Sequence, residues 1–509
     1  MKNKNLIISC QEPADARALE DLFRAYFPGI IVHHHIVDLS GENQSPSYDE
    51  ASWLEIEEST GQSSFQVRLS IGGEIYQGQS QDSGRFLGEE AANKRRRLLR
   101  LSVHQALSTY LIATCQLVSP WGILTGVRPS KIVHRLFKQG LTASEIKDIL
   151  VQEYDIQFGK ANLLTKAVEV QVPYLTSCNL SRQVSIYVAI PFCPSRCHYC
   201  SFPAFALGRW GHLLEAYLAD LTQEIRAVAA NLASKGIGVQ TIYVGGGTPT
   251  VLTVGQLAHL LELLQSQFRL EKDQEVTVEA GRPDTLDRQK LQVLKDYGVN
   301  RISINPQTIH DSTLEAIGRA HQVREIYHTY AMAREIGFSV INMDLIIGLP
   351  GENSELLADT LAQVIRLKPE NITLHDLAIK RAAYYKHVGV SLPSSAEGAR
   401  MTDLAQQTLA DAGYQAYYLY RQKEIIGHGE NVGYCLPDTA SLYNILMMEE
   451  EQTILGLGVG AGSKIVNAIN QSIDNFYNPK DLNLYHERLE QIISRKVDKL
   501  QSFVYNDCK

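Results

Sequence analysis

The chain has 509 residues, of which 44% are hydrophobic and 20% charged, proportions typical of a soluble globular protein with two or three domains. Its formal net charge of −8 argues against nucleic acid as the main partner. Of its eight cysteines, three are closely spaced and five are scattered, which is not a disulfide framework, so we expect a cytoplasmic protein. No apolar run approaches membrane-spanning length, and we expect no membrane span.

Residues 1–180 are predicted to form a separate N-terminal extension of α/β or α+β type. The apolar segment Leu6–Ile8 is too short for an export signal and is interpreted as a first strand. Ile30–Val37 has strand composition, and Gly72-Gly73 indicates a hairpin that joins Phe65–Ile71 to Glu74–Gln77. His33, His34 and His35 alternate between strand faces, so we interpret them as exposed strand residues and not as a metal site.

A long predicted helix follows, and it carries the basic run Lys94–Arg97 and Arg100. A solvated helix face is the preferred interpretation of these charges, and contact with an acidic ligand is the alternative. The stretch Gly122–Ile132 is rich in turn residues, and its Pro129 could begin the next helix. Thr142 and Glu145 have the spacing of a capping box that opens another helix.

Residues 181–412 alternate between strand and helix patterns, which predicts a parallel sheet with right-handed crossovers. The fold class is therefore α/β, either a doubly wound sheet or a partial (β/α)6 barrel. In both arrangements ligands gather at the carboxyl ends of the strands. Residues 413–509 are predicted to form a small mixed C-terminal domain. The six predicted strands are Val184–Ile190, Thr241–Val244, Glu275–Val278, Arg301–Ile304, Ser339–Leu345 and Asn371–Leu377. The helices predicted between them are Leu213–Asn231, Leu257–Phe268, Leu286–Tyr297, Glu325–Ile336 and Leu356–Leu367.

The first of these strands leads directly into three closely spaced cysteines, Cys193, Cys197 and Cys200. Soft thiolates on one loop suit an iron–sulfur cluster. A [4Fe–4S] cluster held by three ligands leaves one iron open to another ligand, which indicates chemistry more than electron storage. A zinc site formed with His198, or three unrelated thiols, are the alternatives.

Polar residues follow the later strands at the edge where the cysteine loop is expected. Gly245-Gly-Gly-Thr-Pro-Thr250 lacks the lysine of a phosphate-binding loop, but its glycines allow a ligand to approach the backbone. Glu279, Gln307 and Asp344 each stand at or near the end of a predicted strand, and Arg319 adds a cation. Together these residues predict a polar rim around one ligand.

The motifs CPSRCHYC, GGGTPT, GRAH, MDLIIGLPG and HDLAIKR, taken with Glu279 and Gln307, resemble the oxygen-independent coproporphyrinogen III oxidase family of radical S-adenosylmethionine (SAM) enzymes. The resemblance covers about residues 184–465 in matching order and spacing. Two further stretches, Gly122–Ile132 and Tyr420–Tyr434, and the long N-terminal extension are similar to the coproporphyrinogen dehydrogenase HemZ branch.

The resemblance implies a partial (β/α)6 radical SAM barrel with a C-terminal domain that covers the substrate. It implies a [4Fe–4S] cluster on the three cysteines and SAM on the open iron. A 5′-deoxyadenosyl radical would abstract a propionate β-hydrogen from coproporphyrinogen III, and loss of CO2 and one electron would leave a vinyl group. External electron donors and acceptors are therefore implied partners. The positions that match SAM contacts are Tyr187, Tyr199, Gly246, Gly247, Thr248, Glu279, Gln307, Arg319, Asp344 and Ala378, and Gly458–Ser463 matches a loop near the same cavity.

One position departs from the family pattern. Phe202 stands where the best-known oxidases have a fourth cysteine, and family members that lack this cysteine include haem chaperones. A haem carrier with His198, His375 or His428 as axial ligand, or an enzyme acting on another tetrapyrrole, are therefore the alternative functions. No catalytic side chain is assigned. Five cations are candidates for binding substrate carboxylates, with surface placement as the alternative: Arg128, Lys131, Arg381, Arg421 and Lys423.

Overall fold

The computed structural model describes residues 5–10, 13–27, 30–36, 52–59, 64–84, 90–115, 119–126, 128–176, 182–270, 274–380, 382–422, 429–467 and 472–501. The chain forms two compact units. The first comprises Met1–Lys166 and Arg421–Glu424, and the second comprises Ala167–Tyr420 and Ile425–Lys509. The functional division at residues 180 and 412 that the sequence suggests stays a prediction.

The first unit is built on a five-stranded sheet in the order β2-β1-β3-β4-β5. The predicted strand at the start of the chain, the strand through the histidines and the Gly72-Gly73 hairpin are all present. Leu6, Leu19, Leu54 and Leu98 lie in one buried core between sheet and helices. The strands are β1 (Asn5–Cys10), β2 (Ile31–Ile36), β3 (Ser52–Ser59), β4 (Ser64–Ile71) and β5 (Glu74–Gln81). The helices are α1 (Pro13–Tyr26), α2 (Ala91–Cys115), α3 (Ser130–Lys138), α4 (Ala143–Tyr154) and α5 (Phe158–Leu175), the last of which continues into the second unit.

The interpretation of the basic run on α2 as a solvated face is wrong for two of its arginines. Arg97 is 4% exposed, and its guanidinium donates to the Glu153 carboxylate over 2.5 Å. Arg100 donates to the Ile123 carbonyl and to the Thr125 hydroxyl. The carboxylate and carbonyl partners come from segments distant in sequence, so the charge pattern of α2 alone could not reveal them.

The second unit is built on an eleven-stranded sheet in the order β14-β15-β13-β12-β11-β10-β9-β6-β16-β17-β18. Strands β6, β9, β10, β11, β12 and β13 run parallel in chain order, which confirms the six predicted β/α units. The strands are β6 (Gln183–Ile190), β7 (Phe192–Cys193), β8 (Phe205–Ala206), β9 (Gly238–Gly246), β10 (Glu275–Glu279), β11 (Arg301–Ser303), β12 (Val340–Ile347), β13 (Asn371–Asp376), β14 (Gln415–Tyr420), β15 (Asn431–Cys435), β16 (Ile454–Leu457), β17 (Gly462–Val466) and β18 (Ile473–Tyr477).

Helices cross between consecutive parallel strands, and strands from residues beyond 412 extend both edges of the sheet. β16 is parallel to β6, whereas β15 is antiparallel to β13. None of the described helices is long and apolar enough to cross a membrane. The helices are α6 (Leu207–Trp210), α7 (Leu214–Ser234), α8 (Val254–Phe268), α9 (Arg288–Asp296), α10 (Asp311–Ala316), α11 (Val323–Ile336), α12 (Ser354–Leu367), α13 (Tyr385–Val388), α14 (Ser395–Asp411), α15 (Leu442–Glu449), α16 (Leu482–Glu487) and α17 (Leu489–Gln501).

Local sequence signals explain where several helices begin. The predicted capping boxes at Thr142 and Thr253 are both formed, and the Ser394 hydroxyl accepts from the Glu397 amide. The parallel strands are buried along most of their length because helices or further chain cover both faces. This arrangement places the carboxyl ends of β6 and β9–β13 side by side. We call this side of the sheet, where the parallel strands end, its carboxyl edge.

Candidate functional site

The cysteine loop begins where β6 ends. Cys193, Cys197 and Cys200 are free thiols and are all partly buried. The Thr248 hydroxyl lies 3.5 Å from the Cys193 sulfur, and the Arg282 guanidinium lies 3.7 Å from the Cys197 sulfur. Burial raises the pKa of the Cys193 thiol to about 11 and raises that of Cys200. The thiolate forms therefore need a cationic partner, which a coordinated metal supplies.

The glycine loop after β9 is hydrogen-bonded to the segment that leads into the cysteines. The Gly247 amide donates to the Ile190 carbonyl over 2.9 Å, and the Thr248 amide donates to the Phe192 carbonyl over 2.8 Å. A Cβ atom on Gly247 would lie 2.5 Å from the Phe192 oxygen. A side chain is excluded there because the two backbones are in direct contact.

We expect Gly247→Ala to move the cysteine loop, destabilise the fold by about 2 kcal/mol and lower the iron bound per chain after reconstitution. Thermal unfolding and iron analysis measure both effects. Gly255→Ala is the matched control, because a methyl group added at Gly255 would have no other atom within 4 Å. Equal iron content in the two variants would show that the contact does not position the loop.

Glu279, at the end of β10, lies between the glycine loop and a stack of tyrosines. Its carboxylate accepts from the Tyr243 hydroxyl over 2.8 Å and from the Gly246 amide over 3.1 Å. Tyr243 stacks on Tyr443 at 4.6 Å between ring centroids, and Tyr187 stacks on Tyr243 at 6.1 Å. Burial raises the pKa of Glu279 to about 7 despite these hydrogen bonds. A cation placed beside this carboxylate would stabilise its charged form.

Gln307, four residues after β11, meets Asp344, which lies within β12. The Gln307 amide donates to the Asp344 carbonyl over 2.9 Å, and Gln307 has a φ of 68°, a region that few non-glycine residues adopt. Burial alone would raise the pKa of Asp344, but His375, 3.8 Å away, and a hydrogen bond from the Asn342 side-chain amide outweigh it, so the pKa is lowered. Asp344 therefore supplies a negative charge at this end of the sheet.

Arg319 connects the cysteine loop to the end of β10. Its guanidinium donates to the Gly281 carbonyl over 3.0 Å and to the Tyr199 hydroxyl over 3.2 Å. Among the described residues its buried Nε has no hydrogen-bond partner. An unused buried donor next to a cysteine loop is suited to an anionic group such as a ligand carboxylate.

Arg282 is a site residue that the sequence reasoning missed. It donates to the Ser195 hydroxyl and makes two hydrogen bonds to the Asp284 carboxylate, at 2.9 and 2.8 Å. Its position three residues after Glu279, in the loop after β10, is the signal that could have indicated it. Arg282 is only 4% exposed, and its guanidinium is paired with Asp284 while it lies beside the cysteine loop.

The loop Gly458–Ser463 follows β16, and it borders the same edge of the sheet. A Cβ atom on Gly458 would lie 2.8 Å from the Ala189 carbonyl at the end of β6. The Gly458 amide donates to the fully buried Glu224 carboxylate over 2.7 Å. Ala378, two residues beyond β13, is half-buried at the carboxyl end of that strand. All the predicted cofactor residues therefore belong to one unit, and they lie in the carboxyl halves of its parallel strands or in the loops that follow them.

The three histidines considered as zinc or haem ligands have different surroundings. His198 Nδ1 lies 3.0 Å from the Ala316 carbonyl, and its Nε2 edge packs against Gly318. His375 Nε2 lies 3.8 Å from Asp344, and His428 lies outside the described residues. In the described ranges no group of three or more His, Cys, Asp or Glu side chains is arranged to hold a single metal ion. His198 Nδ1 is therefore within hydrogen-bond distance of a backbone carbonyl, and a role for this histidine as a zinc or haem ligand stays a prediction.

Three of the five predicted carboxylate-binding cations lie in the part of the chain that the structure describes. Arg128, Lys131 and Arg421 belong to the first compact unit, whereas Arg381 and Lys423 lie outside the described residues. Arg421 donates to the Leu124 carbonyl and lies over the Trp121 ring at 5.3 Å. The role of these cations in substrate binding stays a prediction.

Comparison with known proteins identifies the class of this fold and site. A sequence profile of the Radical SAM superfamily matches residues 187–364. The solved structure of coproporphyrinogen III oxidase (HemN) from Escherichia coli, described as a radical SAM enzyme, superposes with a TM-score of 0.52 at 26% identity, over 63% of this chain and 72% of that one. The chain thus has the radical SAM fold, as the sequence predicted.

Two relatives show to which family within the radical SAM superfamily the chain belongs. The oxygen-independent coproporphyrinogen-III oxidase-like protein HemZ of Bacillus subtilis is 42% identical over 386 residues, 75% of this chain and 77% of HemZ. The haem chaperone HemW of the same organism is 31% identical over 56% of this chain and 73% of HemW. The chain belongs to the family of oxygen-independent coproporphyrinogen III oxidase-like radical SAM proteins, which confirms the resemblance.

Proteins of this superfamily bind a [4Fe–4S] cluster and SAM, and the residues present fit both groups. Three thiols on one loop match a cluster with one open iron. The unused Arg319 Nε and the Glu279 carboxylate offer partners of opposite charge, as the carboxylate and amino groups of an amino acid require.

Proposed function

We propose that this protein is an oxygen-independent coproporphyrinogen dehydrogenase that converts two propionate groups of coproporphyrinogen III to vinyl groups in haem biosynthesis, giving protoporphyrinogen IX. The observation that carries the proposal is the convergence of Cys193, Cys197 and Cys200 with Glu279 and Arg319 on one sheet edge, in a chain 42% identical to HemZ. The similarity to HemN and HemZ supports the substrate class.

The residue roles follow from their chemistry. The three cysteines would hold the cluster, and Glu279 and Arg319 would bind the amino and carboxylate groups of SAM. Tyr187, Tyr199, Gly246, Gly247, Thr248, Gln307, Asp344 and Ala378 would shape the rest of the SAM cavity. The bound cluster and SAM supply a hydrogen-abstracting radical. For each propionate, one β-hydrogen atom, one CO2 and one electron leave, so an external electron acceptor is required.

The protein's own side chains would exclude water from this chemistry. The rings of Tyr187, Tyr243 and Tyr443 are stacked on one another beside Glu279, and the Tyr243 hydroxyl donates to its carboxylate. A low-polarity wall strengthens the attraction between Glu279 and a cation. Our candidates for binding the substrate carboxylates remain Arg128, Lys131, Arg381, Arg421 and Lys423.

The ionisation of Glu279 provides a test of its role. In the ligand-free folded protein the pKa of Glu279 is raised from an ordinary 4.5 to about 7, so its carboxyl group is mostly protonated below pH 7. The unfolded chain releases this proton at lower pH, so the group lowers the free energy of unfolding as pH rises from 4.5 to 7. We expect Glu279→Gln to unfold at a higher temperature than the wild type at pH 8 without SAM. The same substitution should weaken SAM binding about 10-fold or more, because it removes a charged partner.

Equilibrium binding of SAM to the reconstituted protein at pH 6, 7 and 8 measures this effect. Wild-type affinity should fall as pH decreases through 7, and Glu279→Gln should lose most of that dependence. Glu262→Gln is the matched control, since Glu262 is an exposed carboxylate on α8. Wild-type affinity and pH dependence in Glu279→Gln would remove Glu279 from the SAM site.

The deciding experiment for the proposed activity is an anaerobic turnover assay. Reconstituted protein receives SAM, a reductant, an electron acceptor and coproporphyrinogen III with labelled propionate carboxyls. We expect two CO2 per protoporphyrinogen IX formed, detected by radiometry and chromatography. SAM cleavage without CO2 release would overturn the substrate assignment and retain the radical SAM class.

A haem carrier is the second candidate function, and Phe202 favours it. This residue stands where the best-known oxidases have a cysteine, its ring is 66% exposed, and HemW is 31% identical to this chain. Titration of the reconstituted protein with haem separates the two functions. Tight binding with transfer to an apo-haemoprotein, and no CO2 in the turnover assay, would establish the carrier.

A further inference from the structure

Each of the three cysteine sulfurs has a hydrogen-bond donor beside it, and these donors differ in charge. The Thr248 hydroxyl lies 3.5 Å from the Cys193 sulfur, and the Cys200 sulfur accepts from a backbone amide, so both of these donors are neutral. The donor beside Cys197 is the Arg282 guanidinium, whose Nη1 lies 3.7 Å from the sulfur. Of the three contacts, the one to Cys197 is therefore the contact that brings a positive charge.

The Arg282 guanidinium is fixed in place by its other contacts. It makes two hydrogen bonds to the Asp284 carboxylate and donates to the Ser195 hydroxyl over 3.2 Å. Pro283 follows it and disfavours helical geometry at residue 282, whose φ of −119° and ψ of 101° are extended. The Arg282 carbonyl accepts from both the amide and the hydroxyl of Thr285. Because the side chain is only 4% exposed, it cannot turn toward solvent without breaking these bonds.

The Asp284 carboxylate offsets part of the positive charge of Arg282. Partial burial would raise the pKa of Asp284, but the hydrogen bonds from Arg282 lower it below its usual range, so the carboxylate is ionised. The buried ring of His321 lies on the same carboxylate, with Nδ1 3.7 Å from it. The carboxylate accepts from Nε and Nη2 of Arg282, whereas Nη1 faces Cys197. The ion pair therefore presents its positive side to the sulfur.

We propose that Arg282 is a positioning residue that sets the reduction potential of the [4Fe–4S] cluster through its charged hydrogen bond to Cys197, and that Asp284 limits this effect. Reduction from the 2+ to the 1+ state adds one electron, which a low-potential one-electron reductant supplies. A positive donor beside a sulfur ligand stabilises the added negative charge and so raises the potential. The proposal rests on the radical SAM class of the chain and not on its substrate, so a negative turnover assay with coproporphyrinogen III leaves it intact.

The test measures a midpoint potential and not turnover. The reconstituted full-length protein is titrated with dithionite in the absence of SAM and tetrapyrrole, and electron paramagnetic resonance follows the reduced cluster. We expect Arg282→Gln, which removes the positive charge, to lower the potential. At the wild-type midpoint potential the ratio of reduced to oxidised cluster should fall about 10-fold, which corresponds to about 59 mV for one electron. Arg288→Gln is the matched control, since the Arg288 side chain is 61% exposed and pairs with Glu335 at the surface.

Asp284→Asn tests the charge argument in the opposite direction. This substitution keeps the shape of the side chain and removes the negative charge beside Arg282, so the potential should rise. Equal midpoint potentials in Arg282→Gln and Arg288→Gln would overturn the proposal. Shifts of the same sign in Arg282→Gln and Asp284→Asn would also overturn it, because they indicate a general disturbance of the loop. If iron analysis shows that Arg282→Gln holds too little cluster to titrate, Asp284→Asn decides: a raised potential supports the proposal and a wild-type potential refutes it.

Discussion

Anaerobically reconstituted Cys197→Ala should contain little or no iron–sulfur cluster and should form 5′-deoxyadenosine at less than about one-thousandth of the wild-type rate. The physical reason is the ligand count: three thiols hold four irons, and removing one leaves two open positions where the chemistry needs one. Arg282, whose guanidinium lies 3.7 Å from the Cys197 sulfur, would then face the cysteine loop without an anionic sulfur beside it. Iron and sulfide analysis, electron paramagnetic resonance of the reduced sample and a SAM cleavage assay measure the loss.

Cys435→Ala is the matched control for this experiment. Cys435 is also a free thiol, but it is 2% exposed in an apolar cluster with Tyr417 and Ile445. Its removal should destabilise the fold slightly and leave iron content unchanged. Wild-type iron and SAM cleavage in Cys197→Ala would refute the assignment of the cluster to the cysteine loop.

The second large effect is expected at a buried ion pair outside the cofactor site. Lys496 and Glu224 are both 0% exposed, and the Lys496 ammonium donates to the Glu224 carboxylate and to the Asn478 side chain. Glu224 also accepts from the Tyr485 hydroxyl and from the Gly458 amide. Lys496→Met would leave a carboxylate buried without its counter-charge, so we expect a loss of about 3–5 kcal/mol in unfolding free energy.

Unfolding of the full chain in denaturant measures this loss, read from the transition in which the second unit unfolds. Lys499→Met is the matched control, since Lys499 is 39% exposed and pairs with Asp474 on the surface, where such pairs contribute less than about 1 kcal/mol. Glu224→Gln/Lys496→Met should recover part of the stability, because no unpaired charge remains buried. A Lys496→Met loss no larger than that of Lys499→Met would show that Glu224 finds another partner or a proton.

The sequence predicted those parts of the site that depend on order along the chain. Strand and helix patterns located β6 and β9–β13 within a few residues, and Glu279 is the last residue of β10, as expected, whereas Asp344 lies within β12. Cysteine spacing indicated the cluster because thiols on one short loop need no long-range information. The fold class and the cofactors could therefore be predicted from the sequence alone.

Contacts between distant segments could not be read in the same way. Nothing in the sequence around Glu224 indicates Lys496, which lies 272 residues away, and nothing near Arg97 indicates Glu153. Likewise, the strained backbone of Gln307 follows from its bridge to Leu345 and not from its neighbours in the chain. Charge and turn patterns report local surroundings, whereas burial depends on which segment happens to cover a residue.

The position of β16 has a consequence for how the protein matures in the cell. β6 pairs with β9 on one side and with β16 on the other, and Leu457 of β16 lies beside Val188, just before the cysteine loop. During synthesis, that flank of β6 stays uncovered until the ribosome has released residues some 270 positions downstream, and pairings of such long range form late. Iron–sulfur assembly factors should therefore act on the finished polypeptide and not on the nascent one.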